Sequence, residues 1–332
     1  MRIAAAILGI VSLACLANGS AEAATRDPGF AYYAIGDIHA RRVAPTEQAL
    51  LLSGGGDWVP SAFRWFVDKA GHGHIVIISA YGGGEDGQTF YRVIGGVESV
   101  ETLVFSGREA SFDPKVLSIL RRADGIFIAG GDQSKYVRFW KGTPVARILD
   151  RHIRSGKPIG GTSAGLAILG FAGYGAMDGG SIDSPTALRD PDGPAVTMVG
   201  DFLHMPYLTH VVTDTHFTAR NRLGRLIAFI AHERVSSDPQ AVGLGVDQGS
   251  ALCVDSRGIG HLFTIAGGFA WLVQPVGAPR VVAGQPLDYR LVRLTGVGPA
   301  STIDLKTMRV TNPAFVRAVS VRRGTLVSVP LE

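Results

Sequence analysis

Lys157-Pro158-Ile159-Gly160-Gly161-Thr162-Ser163-Ala164-Gly165-Leu166 reads as a buried strand turning sharply into a helix, with a serine at the apex. Gly161, Ser163 and Gly165 have the G-x-S-x-G spacing of a nucleophile elbow. So tight a turn needs neighbours without bulk, so that the serine Oγ stands clear of the sheet and the next backbone N–H points at an oxyanion. Ordinary glycine-rich strand-to-helix turns share the spacing, so the motif gains meaning only from its surroundings.

Outward from this turn, short apolar runs alternate with helix-like segments, the punctuation of βαβ units. Ala49 to Leu52, His74 to Ser79, Ser99 to Phe105, Gly125 to Ala129 and Pro158 to Gly161 read as buried parallel strands. Trp58 to Ala70, Gln88 to Ile94, Pro114 to Arg122 and Thr143 to Ser155 carry helical spacing. In such a sheet the strand carboxyl ends line the ligand crevice. The turns Gly54-Gly55-Gly56-Asp57, Gly82-Gly83-Gly84-Glu85 and Gly130-Gly131-Asp132-Gln133 should therefore face one site. Phe171 to Tyr207, rich in Gly, Asp and Pro, reads as a long surface excursion, either a lid or an insertion. A helix is expected from about Asn221 to Arg234, and strands near Val242 to Val246 and Ala251 to Val254. Tyr289 to Leu294 and Leu326 to Val329 alternate like strands of an added β-rich region.

The chain has 332 residues, 46% hydrophobic and 18% charged, which supplies a substantial core and excludes disorder as the main state. Arg2, an apolar run from Ile3 to Ala17 and the small-residue site Ala21-Glu22-Ala23 form an export-signal pattern. The run is too short for a membrane span, and none is expected elsewhere. The expected plan is a signal peptide at 1–23, a catalytic α/β domain at 24–270 and a β-rich extension at 271–332, with an extracellular or periplasmic location. A lipid anchor on Cys15 is disfavoured, because Ser12 stands where such signals carry leucine. Cys253 then stays alone between Leu252 and Val254, so no internal disulfide is expected. The net charge of +4 implies a mildly basic surface.

Asp214-Thr215-His216-Phe217 follows the apolar pair Val211-Val212, which places a histidine at a strand's carboxyl end, within reach of Ser163. Among nine histidines, His72 and His74 sit in a turn, and His204, His210 and His216 lack metal-ligand spacing. No metal or other cofactor is expected.

Gly160-Gly161-Thr162-Ser163-Ala164-Gly165, Gly130-Gly131-Asp132-Gln133, the block from Asp214 to Arg225 and Gly243-Leu244-Gly245-Val246-Asp247-Gln248 together resemble the cyanophycinase and peptidase E family of serine peptidases. The four motifs occur in family order over the central two thirds of the chain. The resemblance implies an α/β fold of flavodoxin-like (class I glutamine amidotransferase-like) type, a mostly parallel sheet with helices on both faces. It also implies Ser163 as nucleophile, His216 as base, and pocket roles for Gln133, Arg220, Arg222 and Arg225; Asp214 and Thr215, beside His216, are further substrate-binding candidates. Cyanophycinases release β-aspartyl-arginine from a polymer with a poly-aspartate backbone, so a peptide or polypeptide substrate is the partner it implies. Thr215 stands where the family pattern has glutamine, and Gln248 where its triad is expected to end in glutamate. A carboxylate would stabilise the imidazolium formed during attack, whereas an amide orients the ring without supplying charge. Asp247 and Asp214 are the other acids within reach in sequence.

Arg222 and Arg225 point to one side of the expected helix, and with Arg220 they gather cations where a helix start ordinarily attracts acids. They ask for an anion, and a substrate carboxylate would serve. Without a Walker-type lysine loop or aromatic-basic interleaving, neither phosphate nor nucleic acid is expected. The N–H groups of Gly131 and Ala164 are the oxyanion candidates. Two other readings stay open: an α/β-hydrolase esterase using Ser163, Asp247 and His261, and a non-catalytic peptide-binding homologue. The sequence leaves a homodimer open.

Overall fold

The computed structural model describes residues 25–27 and 29–330. The export signal, its cleavage site and Cys15 lie outside the described residues. The hairpin β1 (Thr25–Asp27) and β2 (Phe30–Gly36) opens the fold and is followed by β3 (Leu50–Ser53), α1 (Pro60–Lys69), β4 (His74–Ser79) and α2 (Glu85–Thr89). A π-turn at Phe90–Ile94 leads to β5 (Ser99–Phe105), α3 (Pro114–Arg122), β6 (Gly125–Ile128), α4 (Gln133–Trp140), α5 (Pro144–Arg154), β7 (Ile159–Thr162) and the one-turn α6 (Ala164–Ala167). Then come β8 (Ala172–Tyr174), α7 (Ser184–Arg189), β9 (Met198–Gly200), β10 (Val211–Asp214), α8 (Leu223–Ser236), β11 (Val242–Val246), β12 (Ser250–Val254) and β13 (Ile259–Thr264). The chain closes with β14 (Ala270–Val276), β15 (Tyr289–Val297), β16 (Thr302–Asp304), β17 (Arg309–Thr311), β18 (Phe315–Arg322) and β19 (Thr325–Val329).

One sheet runs β1-β2-β5-β4-β6-β7-β3-β12-β13-β16-β17, and its centre, β5-β4-β6-β7-β3, is parallel. Alternation along these strands feeds two cores. Leu50, Leu52, Val76 and Ile78 face α3, α4 and α5 in one core, while Leu51, Ile75 and Ile77 face the Phe63 and Phe66 side of α1 in the other. The helices start where their sequence dictates. Asp113 accepts from the Lys115 and Val116 N–H groups ahead of α3, Asp132 accepts from Ser134 N–H ahead of α4, and Pro60, Pro114 and Pro144 occupy first helical turns.

The second sheet runs β19-β18-β15-β14-β11-β10-β8-β9. Val212, on one face of β10, packs with Leu226, Ile227 and Ile230 of α8; Val211, on the other, belongs to the first sheet's larger core. The expected C-terminal extension, 271–332, is strand-rich, and its strands add to both sheets. β14 pairs antiparallel with β11, covering what would be an open edge, and β16 pairs with β13 in the first sheet. The excursion at 171–207 holds β8, α7 and β9, and its irregular part passes beside the elbow. Among the described residues, no helix is long and apolar enough to cross a membrane.

Candidate active site

Ser163 caps β7 with φ 51° and ψ −117°, a left-handed conformation that a side chain rarely adopts. The turn closes because its neighbours are glycines: a Cβ on Gly161 would lie 2.5 Å from the Gly165 carbonyl carbon, and one on Gly165 would lie 2.2 Å from the Ile128 oxygen. The Ser163 N–H donates to the Ser53 carbonyl at 3.2 Å, anchoring the elbow to β3.

His216 comes from the other sheet, just beyond β10, also with positive φ (44°). Its N–H donates to the Gly54 carbonyl at 2.7 Å, and its ring packs where a Cβ on Gly55 would come within 2.5 Å of Nε2. The first glycine-rich turn thus locates the imidazole. Ser163 Oγ lies 2.7 Å from His216 Nε2, and His216 Nδ1 lies 2.7 Å from Gln248 Oε1. An amide oxygen only accepts, so Nδ1 carries the proton and Nε2 is left to accept from the serine. Burial holds the imidazolium below the ordinary histidine range, helped by the Arg220 and Arg222 charges and opposed by the Gln248 hydrogen bond and Asp214.

The sign of the pH dependence follows. Attack needs neutral imidazole, so activity is present above the His216 pKa and lost as pH falls through it. The acid limb of kcat/KM should lie below the usual histidine value of 6.5. Gln248→Glu should move that limb to higher pH and raise kcat, through charge stabilisation of about 1–3 kcal/mol. Rate–pH profiles of the two proteins check both. A fall in kcat with normal folding would remove Gln248 from its place as orienter.

Two cavities meet at Ser163. One, of about 430 Å³, is walled by Gly131, Gln133, Ala164, Thr215, Arg220, Arg222 and Arg225. The other, of about 540 Å³, contains Ser163, His216, Gly130 and Gly131 in its wall. A Cβ on Gly130 would sit 3.5 Å from Ser163 Cβ, so the Gly130-Gly131 backbone lies against Ser163. Tyr136 of α4 holds that backbone from beneath, its hydroxyl donating to the Gly130 carbonyl at 2.7 Å. Burial pushes the phenol's pKa far up, so it stays a donor. The sequence signal for Tyr136 was the helix capped by Asp132, which glycine-rich punctuation obscures.

The expected clamp is uneven. Asp214 does not reach the cavity: it is buried at the end of β10, with Arg225 donating to it through Nε at 2.8 Å and Nη2 at 2.5 Å. Arg225 is 2% exposed, lies over the rings of Tyr174 and Phe229, and spends Nη1 on Ser181 Oγ (2.6 Å) and the Ile182 carbonyl (3.0 Å). Much of the anion that the arginines ask for is therefore internal. Arg222 is shared, donating to the Thr215 carbonyl at 2.8 Å and Oγ1 at 3.0 Å while lining the cavity, and burial lowers its pKa to about 10. Thr215, in place of the family's longer glutamine, thereby orients Arg222. Arg220 is exposed, and its guanidinium has no hydrogen-bond or ion-pair partner among the described residues. Gln133 donates to the Tyr174 carbonyl at 3.3 Å.

Asp247 is not an orienter. Its carboxylate accepts from the Thr218 N–H and hydroxyl, from Phe269 N–H at 2.9 Å and from Trp271 Nε1 at 3.2 Å, which staples the loop after His216 to β14. His261 lies exposed on β13 and lines neither cavity, so the esterase arrangement is not assembled. Among the described residues no His, Cys, Asp and Glu group is placed to hold a metal ion.

A serine presented by a strand-to-helix elbow to an oriented imidazole, at the carboxyl ends of parallel strands, is the arrangement of serine hydrolases. The chain belongs to peptidase family S51, whose sequence model matches residues 88–261. It is 30% identical over 205 residues to a cyanophycinase of Trichormus variabilis, covering 60% of this chain and 63% of that one. It is 30% identical over 221 residues to a cyanophycinase of Thermosynechococcus vestitus, covering 65% and 63%. The match thus spans just under two thirds of those relatives' length. A crystal structure of a peptidase from an acI-B1 Actinobacterium superposes with a TM-score of 0.48 at 14% identity, over 85% of this chain and 97% of that one.

Proposed function

We propose that the protein is an exported serine peptidase that hydrolyses cyanophycin or related β-aspartyl peptides. The observation that carries this reading is the Ser163 Oγ to His216 Nε2 contact of 2.7 Å on an elbow beside a cationic cavity. Ser163 attacks the scissile carbonyl while Nε2 takes the hydroxyl proton. The resulting oxyanion sits against the Gly131 and Ala164 backbone, and Nε2 returns the proton to the leaving amine. Water, activated by the same imidazole, then attacks the acyl-enzyme, frees the acid and restores Ser163. Arg220 and Arg222 suit a carboxylate on the acyl side of the substrate. Export rests on the sequence pattern at 1–23.

A fluorophosphonate probe should label Ser163, and incubation with cyanophycin should release β-aspartyl-arginine, read by mass. The neutral orienter Gln248 favours one other reading, a binding homologue without turnover. Binding of cyanophycin without labelling or product would decide for it.

A further inference from the structure

Gly130 and Gly131 carry no side chain to fix the peptide between them, and φ at Gly131 is 141°, a conformation that favours glycine. Nothing in the two residues themselves stops that peptide from turning over. Its orientation matters, because the Gly130 carbonyl and the Gly131 N–H belong to one trans plane and point in opposite directions. Gly131 and Ser163 each line both cavities, so the Gly131 backbone stands where the acyl and leaving parts of a substrate meet. The Gly131 N–H has no acceptor among the described residues. With the Gly130 carbonyl turned into the fold, that N–H is free for an oxyanion; turned over, the peptide would set a partial negative charge where the oxyanion must form.

Among the described residues the Gly130 oxygen accepts from one group, the Tyr136 hydroxyl at 2.7 Å, which also lies 2.9 Å from the Ala129 oxygen. A phenol has a single proton, so the two carbonyls share it and are drawn to the same side of the turn. Tyr136 is not free to follow a flip. It is fully buried, and its ring stacks on Trp140 with centroids 4.4 Å apart and planes 7° from parallel. α4, which carries it, starts at Gln133 beside the turn and is capped by Asp132 through the Ser134 N–H at 2.9 Å. Turn and clamp are one piece.

We propose that Tyr136 is a positioning residue, whose hydroxyl fixes the Gly130-Gly131 peptide in the orientation that turns the Gly131 N–H toward the oxyanion formed at Ser163. This rests on the peptidase reading given above. A hydroxyl that only filled its place in the core would affect stability and leave the rate of the chemical step alone.

Tyr136→Phe keeps the ring, its stacking and its burial, and removes the donor. It should lower kcat by about 10- to 100-fold with KM within about threefold, as expected when a buried carbonyl loses its donor and the oxyanion loses part of a backbone N–H. The acid limb of kcat/KM should stay at its wild-type pH, because the contacts of His216 with Ser163 and Gln248 are untouched. Trp140→Phe, which thins the packing against Tyr136 but keeps the hydroxyl, should lower the melting temperature without lowering kcat. A kcat within about threefold of wild type in folded Tyr136→Phe would overturn the assignment, as would a shifted acid limb, or rates that fall in step with melting temperature in both variants. Should the wild-type protein neither cleave cyanophycin nor take the fluorophosphonate at Ser163, the peptidase reading fails instead. A crystal structure of Tyr136→Phe then still reads the turn: a Gly130-Gly131 peptide turned over or split between two orientations upholds the clamp, and an unchanged one overturns it.

Discussion

Ser163→Ala is expected to lower turnover by at least about 10³-fold, because a nucleophile and its base act as one unit. The substitution removes only Oγ, whose partner is His216 Nε2, and leaves the Ser163 N–H to Ser53 anchor in place. Stability should therefore change by no more than about 0.5 kcal/mol. His216→Ala should cost a similar factor, and the double variant little more than either alone, since whatever backbone stabilisation the oxyanion receives survives all three changes. Steady-state rates with melting temperatures for the three proteins check this. A rate within tenfold of wild type in folded Ser163→Ala would remove Ser163 from the chemistry.

The largest effect on stability is expected at Arg225, not at the nucleophile. Arg225→Met keeps much of the side chain's apolar length over Tyr174 and Phe229, but leaves the Asp214 carboxylate buried without its two-pronged partner. Breaking one side of a buried pair costs about 3–5 kcal/mol. Adding Asp214→Asn should recover part of that loss, so the double variant is less destabilised than the sum of the singles. Denaturant titration of the four proteins measures the coupling. Were Arg225 instead a substrate clamp, Arg225→Met would raise KM and leave the unfolding midpoint where it was.

The parallel centre of the first sheet is legible because strands buried on both faces are short, mostly apolar runs bounded by turn residues. His74–Ser79 and Ser99–Phe105 are spelled out to the residue, as is α3 between Asp113 and Ala123. The antiparallel margins are not. β1 and β2 carry little alternation, and α4 begins in a glycine turn that reads as loop. Ser163 and His216 can be placed from sequence because each ends a strand of the same architecture. The fate of the arginines cannot be. Helical spacing shows Arg222 and Arg225 on one side, but not that Asp214, at the end of a strand in the other sheet, meets Arg225 first. Glu85 and Asp86 resemble an ordinary acidic helix start. Their place in a cavity wall with Ser163, His216 and Arg220 emerges only when β4 and β7 lie in one sheet.

Three of the site's side chains depend on strands that follow them in the chain. Ser163, His216 and Gln248 all precede Gly249, yet the loop after His216 is pinned through Asp247 to Phe269 and Trp271, and β14 itself is paired by β15 and then β18. A chain that ends at β12 would therefore hold Ser163, His216 and Gln248 but lack the Phe269 and Trp271 donors that fix the loop after His216.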